Sequence, residues 1–159
     1  LSYANENMDG KTRRDGVEIS FDAKPLKWLD LNGSYTYTDA AIDGGQFNGH
    51  DIPNVPNHKT ALGAVIDMGR GFTAALNGIY VGERPFISDF ADNFDNQEDY
   101  LVMNGKVKYK WNNLTAFMDI NNIMDEEYAE YGVLGGYPLE KAYYPSPKRN
   151  ILAGVMVDF

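Results

Sequence analysis

Apolar and polar residues alternate along most of this chain, which is the pattern of β-strands with two different faces. Between Trp28 and Thr38, Leu, Gly and Tyr residues occupy one face, and Asp, Asn, Ser and Thr occupy the other. This alternation is longer than the ~5–6 residues usual in a globular strand and matches the ~9–11 residues of a tilted membrane strand. The pattern therefore favours an all-β protein with membrane-length strands.

The same alternation predicts six further strands. Pro25 is expected to break the first of them, because proline cannot donate to a strand ladder. Leu1 to Asn5 alternate too briefly for a complete strand, and we interpret them as the end of a strand whose beginning is missing. The six strands are Val17–Phe21, Thr60–Ile66, Phe72–Tyr80, Leu101–Trp111, Leu114–Ile120 and Ile151–Phe159.

Short turns alternate with long polar loops between these strands. The short turns lie near Pro25, Gly69 and Asn112, and the long loops cover 39–57, 83–99 and 125–148. Outer-membrane barrels show this asymmetry, with short periplasmic turns and long extracellular loops.

The turn at Asn112-Asn113 allows the pairing of its two strands to be predicted, since Asn tolerates the positive φ of a type I′ turn. It pairs Trp111 with Leu114 on the apolar face and Lys106 with Asp119 on the polar face. Opposite charges suit a water-filled lumen and would be unlikely in lipid. Phe117 is an unexplained apolar residue on the polar face.

Aromatic residues are sorted to the strand ends, as at the two interfaces of a bilayer. We assign Trp28 to a turn, because its parity is that of the polar face. The predicted belts consist of Phe21, Phe72, Trp111 and Phe159 at the short-turn end and Tyr37, Tyr80 and Tyr100 at the long-loop end.

The last residues form a strand with one uninterrupted apolar face and a terminal aromatic residue. Such an end resembles the signal that the barrel-assembly machinery reads in outer-membrane proteins. The signal residues are Ile151, Ala153, Val155, Val157 and Phe159.

Composition excludes several classes of protein. The formal net charge of −9 argues against nucleic-acid binding, and the absence of Cys excludes disulfides and thiolate metal sites. No apolar run approaches the ~20 residues of a membrane-spanning helix. No secretory signal follows Leu1, so either a signal was removed or the chain starts inside a longer protein.

Candidate reactive side chains form no convincing catalytic, cofactor or metal site. His50 and His58 flank Asp51 but lack a third well-spaced ligand. The acidic runs of the second and third loops could attract a cationic ligand or bridge to lipopolysaccharide through divalent ions, although solvated loop charge explains them more simply. Lys106, Lys108 and Lys110 could attract an anionic ligand, and lumen solvation explains them equally well.

An ordered set of motifs resembles the carboxy-terminal part of TonB-dependent receptors and covers nearly the whole chain. The resemblance implies an antiparallel up-and-down transmembrane barrel segment, about the last seven strands of a 22-stranded barrel, over 1–159. The plug domain and the box that contacts TonB are missing. The motifs are Gly16–Glu18, Leu31–Ala40, Ile52–Lys59, Tyr80–Arg84, Ile120–Tyr128, Tyr144–Arg149 and Phe159.

The resemblance also implies a function, a location and partners. Receptors of this family take up a scarce ligand, commonly a ferric siderophore, across the outer membrane of Gram-negative bacteria and are energised through TonB. In this chain the loops 39–57, 83–99 and 125–148 would supply part of the docking surface for that ligand. The implied partners are outer-membrane lipid and lipopolysaccharide, the rest of the barrel with its plug, TonB through that plug, and the assembly machinery. Tyr80, Arg84, Asn121, Asn122 and Tyr128 match framework motifs and are interpreted as structural.

Two other classes of protein remain as alternatives. A self-contained small outer-membrane barrel with a structural or enzymatic role would fit the length, but seven strands conflict with the even number usual in bacterial barrels. A soluble β-sandwich would not need two separate aromatic belts. A seven-stranded segment alone would expose two unpaired edges, so we expect those edges to pair with further copies or with the rest of a receptor.

Overall fold

The structure is a computed structural model that describes residues 9–159, and the described part folds almost entirely into β-strands. No helix among these residues is long and apolar enough to cross a membrane. The strands are β1 (Lys11–Leu26), β2 (Leu29–Asp43), β3 (His58–Gly69), β4 (Phe72–Val81), β5 (Tyr100–Trp111), β6 (Leu114–Asn121), β7 (Ala129–Gly135), β8 (Glu140–Pro145) and β9 (Asn150–Val157).

Seven of these strands form one antiparallel sheet in the order β1-β2-β3-β4-β5-β6-β9. Consecutive strands are neighbours except at the end, where β7 and β8 form a separate hairpin and β9 returns beside β6. The prediction of seven antiparallel strands in up-and-down order is therefore confirmed. The expected strand tail at Leu1 to Asn5 lies outside the described residues.

The register places the apolar face of each strand beside the apolar face of the next. Tyr35 of β2 pairs with Ile19 and Thr60, and the pattern continues across β4 to Met118 of β6, which pairs with Ala153. We call this surface the outward face. Its large side chains are exposed, including Ile19, Leu62, Leu76, Val107 and Met118.

Polar side chains are paired across the opposite face, which we call the inner face. Asn104 Nδ2 donates to Asn77 Oδ1 at 2.9 Å, and Asn121 Nδ2 donates to Asn150 Oδ1 at 2.9 Å. The predicted pairing across Asn112-Asn113 is confirmed, with Trp111 opposite Leu114 and Lys106 opposite Asp119. The Lys106 Nζ to Asp119 Oδ1 distance is 3.0 Å, but half-exposed ion pairs such as this one contribute well under about 1 kcal/mol.

The first two strands are longer than predicted. β1 continues through Pro25 to Leu26, so the prediction that Pro25 ends the strand is wrong. A register shift between Ala23 and Leu26 takes Lys24 and Pro25 out of the ladder with β2, so the missing proline N–H leaves no ladder bond unmade there. β2 extends to Asp43 because Lys11 to Asp15 pair with Asp39 to Asp43, and the first predicted loop, 39–57, thus begins inside a strand.

The third predicted loop and the final strand also differ from expectation. The range 125–148 contains the β7–β8 hairpin, whereas 83–99 contains no named strand. The final strand ends at Val157, because its partner β6 begins at Leu114 and offers no later pairing position. Asp158 N still donates to Asn113 O at 2.8 Å, and Phe159 lies fully exposed beyond the ladder.

The predicted aromatic belts are only partly consistent with the register. Phe72 and Trp111 lie at the short-turn end of the outward face, and Tyr37 and Tyr80 lie at its long-loop end. Tyr100 pairs with Val81 and therefore lies on the inner face, which corrects its assignment. Phe21 pairs with Gly33, which lies four residues before Tyr37 and four residues after Leu29 on β2. Phe21 therefore lies in the middle of the outward face.

Two aromatic rings cover glycines across strand pairs, and this explains the unexpected Phe117. A Cβ built on Gly154 would lie 2.7 Å from the Phe117 ring, so that ring occupies the space above its cross-strand partner. The Phe21 ring covers Gly33 in the same way on the outward face. Lys106 Nζ also lies 5.0 Å from the Phe117 ring centre, which makes the ring compatible with a wet inner face.

Removal of the Phe117 ring should weaken the sheet. In a full-length receptor carrying this chain, Phe117→Ala should lower the free energy of unfolding by about 1 kcal/mol, because a cross-strand pair is lost and Gly154 is uncovered. Thr115→Ala, two residues away on the same face and opposite Met156, is the matched control. Urea unfolding of the detergent-solubilised barrel measures both, and equal effects would contradict the role assigned to the ring.

Candidate functional site

The buried residues of the described chain lie at the long-loop end of the sheet. The buried apolar side chains belong to the upper ends of β2, β4 and β5 and to the loop that follows β4. Four polar side chains are buried with them. The apolar set is Ala40, Ile42, Val81, Phe86 and Val102, and the polar set is Arg84, Asp89, Gln97 and Asn122.

Arg84 joins the loop after β4 to the β7–β8 hairpin. Its side chain is 2% exposed, and Nη2 donates to the carbonyl oxygens of Ala129 at 2.6 Å and Glu130 at 3.1 Å. Nη1 donates to Glu98 O at 3.3 Å and to Gly82 O at 3.4 Å. Burial lowers the pKa of Arg84, yet a guanidinium stays protonated at neutral pH. One planar cation thus binds carbonyls from three segments.

Phe86 lies beneath the hairpin and fixes its distance from the loop. It is fully buried, its ring meets Tyr143 edge-on at 5.4 Å, and Ile87 N donates to Gly132 O at 3.1 Å. A Cβ on Gly132 would lie 2.6 Å from the Phe86 ring. Only glycine lets β7 approach the loop this closely.

Gln97 connects the first long loop to the second. Its backbone forms a bridge with Arg84, and its Nε2 donates to Pro85 O at 3.0 Å and to Asn54 Oδ1 at 3.4 Å. Asp89 closes a turn in the same loop by accepting from the backbone N–H groups of Asn93 and Phe94 at 3.0 and 2.9 Å. The second loop is therefore internally bonded although it has no named strand.

Asn122 holds the entry and exit of the third long loop together. Its Nδ2 donates to Glu126 O at 2.9 Å and to Pro147 O at 3.3 Å, and its Oδ1 accepts from Glu126 N at 2.9 Å. Nearby, Lys148 bonds Glu127, and that contact raises the pKa of Lys148. Asn122 adopts a φ of 52°, which Asn tolerates better than most residues.

These contacts leave a cleft of about 430 Å³ between the second loop and the hairpin. Its walls combine acidic side chains with tyrosine rings. Tyr100 packs against Tyr128 at 4.6 Å, and Arg84 lies 5.2 Å above the Tyr100 ring. The lining residues are Gln97, Glu98, Asp99, Tyr100, Glu126, Glu127, Tyr128, Ala129, Tyr143, Pro145, Ser146 and Lys148.

The three long loops carry most of the negative charge of the chain. The ranges 39–57, 83–99 and 125–148 contain 14 of the 23 acidic side chains but only three of the 14 Lys and Arg. Burial, followed by the nearby carboxylates of Asp92 and Asp39, raises the pKa of Asp51. Acidic groups of the first and second loops therefore lie close enough to repel each other.

The two histidines lie in different parts of the structure. His50 is in the first loop, where its carbonyl accepts from Ile42 N. His58 lies on the outward face, opposite Tyr37, with its Nδ1 2.9 Å from Tyr35 Oη. Among residues 9–159, no group of three or more His, Asp or Glu is arranged to hold a metal ion.

Sequence reasoning found the three loops but missed the residues that organise them. Arg84 and Asn122 match framework motifs and Asp89 belongs to an acidic run, but no motif marks Phe86 or Gln97. The spacing Gly82-Glu-Arg-Pro-Phe86 inside a polar loop offered one signal, because a lone Phe beside Pro and Arg is a candidate for loop burial. The contacts across 45 residues that bury Arg84 carry no sequence periodicity.

Comparison with known proteins gives consistent results. The family model described as TonB dependent receptor-like, beta-barrel matches residues 1–123. The ferrichrome outer membrane transporter/phage receptor of Escherichia coli K12 is 30% identical over 129 residues, which are 75% of this chain and 17% of that protein. The chain thus spans about a sixth of the length of that relative.

Two solved receptor structures illustrate the similarity of fold to this chain. The ferric-catecholate import receptor Fiu of E. coli K12, in its closed form, is 26% identical to this chain, with a TM-score of 0.77. The match covers 92% of this chain and 21% of the Fiu chain. The ferric yersiniabactin uptake receptor FyuA of Yersinia pestis is 19% identical with a TM-score of 0.82, over 95% of this chain and 24% of its own. The latter similarity concerns the fold alone.

Arg84→Lys tests the connection between the loop and the hairpin. A lysine ammonium cannot reproduce the planar contacts to separate carbonyls, so buried acceptors would be left unpaired at a cost of about 2 kcal/mol. Amide exchange of 129–135 should accelerate about thirtyfold at that cost. Arg70→Lys, in an exposed turn, should leave the exchange unchanged, and equal rates in both variants would refute the role of Arg84.

Proposed function

The chain belongs to the TonB-dependent receptor β-barrel family, and we propose that it forms the carboxy-terminal part of the barrel of a transporter that imports a scarce ligand. Members of this family are β-barrel proteins of the Gram-negative outer membrane, and that is the location of this chain. The proposed cargo is a ferric siderophore, and the proposed energy source is TonB acting through a plug. The observation that carries the proposal is the family match over residues 1–123.

In this proposal the seven-stranded sheet is one sector of the barrel wall. β1 and β9 are the two edges of the sheet formed by the described residues. A strand edge in hydrocarbon needs a partner for its backbone groups, and the remaining barrel strands would supply it. The plug would lie against the inner face, where Asn77, Asn104 and Lys106 offer polar contacts.

The loop cleft is the proposed contribution of this segment to ligand docking. Tyrosine rings and polar groups at a concave surface suit a polar chelate with an organic shell. The acidic surroundings disfavour a multiply anionic chelate at this position and favour a neutral or cationic one. The similarity to a ferrichrome transporter is compatible with a siderophore as the ligand class.

Two further roles rest on the same proposal. Ile151, Ala153, Val155 and Val157 lie on the outward face of β9, with Phe159 beyond it, and would serve as the signal for the barrel-assembly machinery. The outward aromatic residues at the strand ends would contact the lipid headgroups. In this proposal the segment has no catalytic role.

Uptake by intact cells tests the proposal. Cells that produce the full receptor carrying this chain should accumulate iron from a neutral ferric trihydroxamate, and accumulation should stop when TonB is deleted. A trianionic ferric triscatecholate in the same assay tests the preference in charge. Uptake of no ferric chelate, or uptake that persists without TonB, would contradict the proposal.

The charge of the cleft can be tested separately. The double substitution Glu98→Gln with Asp99→Asn should increase the affinity for the trianionic chelate roughly threefold by removing repulsion. The affinity for the neutral chelate should not change. Glu140→Gln, on β8 and outside the cleft, is the control. Fluorescence quenching measures both affinities. An equal change in the affinity for the two chelates would contradict the charge argument.

A further inference from the structure

A row of asparagine side chains crosses the inner face of the sheet from one edge to the other. Each strand of the sheet contributes one residue, and the pairing register places that residue opposite the next one. Asn104 and Asn121 are opposite each other because they adjoin the paired residues Gly105 and Ile120. We call this set the asparagine row, and its members from β1 to β9 are Asp22, Asn32, Gly63, Asn77, Asn104, Asn121 and Asn150.

Hydrogen bonds and close contacts connect the members of the asparagine row. Between β4 and β5, and again between β6 and β9, one Asn Nδ2 donates to the Oδ1 of the Asn beside it at 2.9 Å. The side-chain amide of Asn32 covers Gly63, because a Cβ built on that glycine would collide with Asn32 Oδ1. The row therefore presents a nearly continuous line of carboxamides, which are neutral groups that both donate and accept hydrogen bonds.

The asparagine row is inclined to the membrane. The strands of an outer-membrane barrel are tilted, so a row that runs across them climbs along the barrel axis. Asn32 is the fourth residue of β2 when counted from the short-turn end at Leu29. Asn121 and Asn150, in contrast, lie at the long-loop ends of β6 and β9. The row therefore leads from the extracellular end of the lumen toward the periplasmic end.

The upper end of the asparagine row lies in a pocket of about 350 Å³ on the inner face. Asn104, Asn121 and Asn150 line this pocket together with Tyr100 and Tyr128. The same two tyrosines also line the loop cleft, and their ring centres are 4.6 Å apart. The pair of rings therefore stands between the cleft, where we place the ligand, and the start of the row.

The chemistry of the asparagine row suits a ligand that moves. A lining lets a solute pass only if each contact is weak enough to be exchanged for the next one, and a single neutral hydrogen bond contributes little net free energy against water. Lys106 and Asp119, one inner position closer to the short turns, are paired at 3.0 Å and present little net charge. Asp22, near the periplasmic end, is the one charged member of the row in the described sheet.

We propose that the asparagine row is the track on the barrel wall along which the imported ligand moves from the loop cleft toward the periplasm. The ligand class is a neutral chelate whose outer shell carries carbonyl and hydroxyl oxygens. Carboxamides can donate to each such oxygen, but they offer no counter-charge to an anion. This inference rests on the proposed transport function and adds to it the residues that set the rate of passage.

Asn77→Leu tests the inference, because it replaces a central carboxamide by an apolar group of similar size. In cells that produce the full receptor, it should lower the maximal uptake rate of a neutral ferric trihydroxamate about fivefold, the factor that corresponds to one hydrogen bond. The affinity for the chelate at the cell surface should not change. Asn77→Gln keeps the carboxamide and should restore most of the rate. Thr36→Val removes a polar group from the inner face outside the row and should transport like the wild type.

Further measurements separate the possible results. Asn77→Ala takes the place of Asn77→Leu if the leucine variant fails to show the heat-dependent gel shift of a folded barrel. A row that only holds the plug would, once altered, admit a large hydrophilic antibiotic without TonB. Such leakage, or an uptake rate equal to that of the wild type, would overturn the inference. Wild-type cells that import no ferric chelate would contradict the proposed function itself, so the two failures are distinguishable.

Discussion

A backbone that crosses hydrocarbon must satisfy every N–H and C=O group within the protein, and the rest of this structure depends on that constraint. The chain meets it by pairing each membrane-length strand with a neighbour on both sides, except at β1 and β9. Once the pairing is set, each strand presents one face to lipid and one to water. The alternating sequence and the polar pairs of the inner face, such as Asn77 with Asn104, both follow from this arrangement.

The long loops are under no such constraint, because they lie outside the hydrocarbon and can use any hydrogen-bond partner. Hydrogen bonds from side chains hold the loops together, where backbone ladders hold the strands. Arg84 binds four carbonyls, and Asn122 joins the two ends of the third loop. The loops consequently contain buried polar groups that the strands lack, and they present an acidic, tyrosine-lined cleft above the regular sheet.

The strand pattern could be predicted from the sequence because a period of two requires only local information. The register of β5 with β6 followed from the Asn112-Asn113 turn in the same way. The error at Pro25 arose because a strand can contain a proline at a register shift, and the shift is set by the pairing with β2 and not by the local sequence. Phe117 was unexplained because its partner, Gly154, is distant in sequence. Arg84, Phe86 and Gln97 could not be assembled into a site for the same reason.

Cysteine accessibility in native outer membranes tests most directly whether this sheet is a barrel wall with one lipid face and one lumen face. The chain contains no Cys, so each single substitution introduces the one Cys of this segment, at Leu62 or Val107 on the outward face and at Ser34 or Asn77 on the inner face. We expect a lipid-soluble maleimide to label the first pair and a charged, water-soluble maleimide to label the second. Water-soluble labelling of the outward positions, or no alternation between the faces, would contradict it.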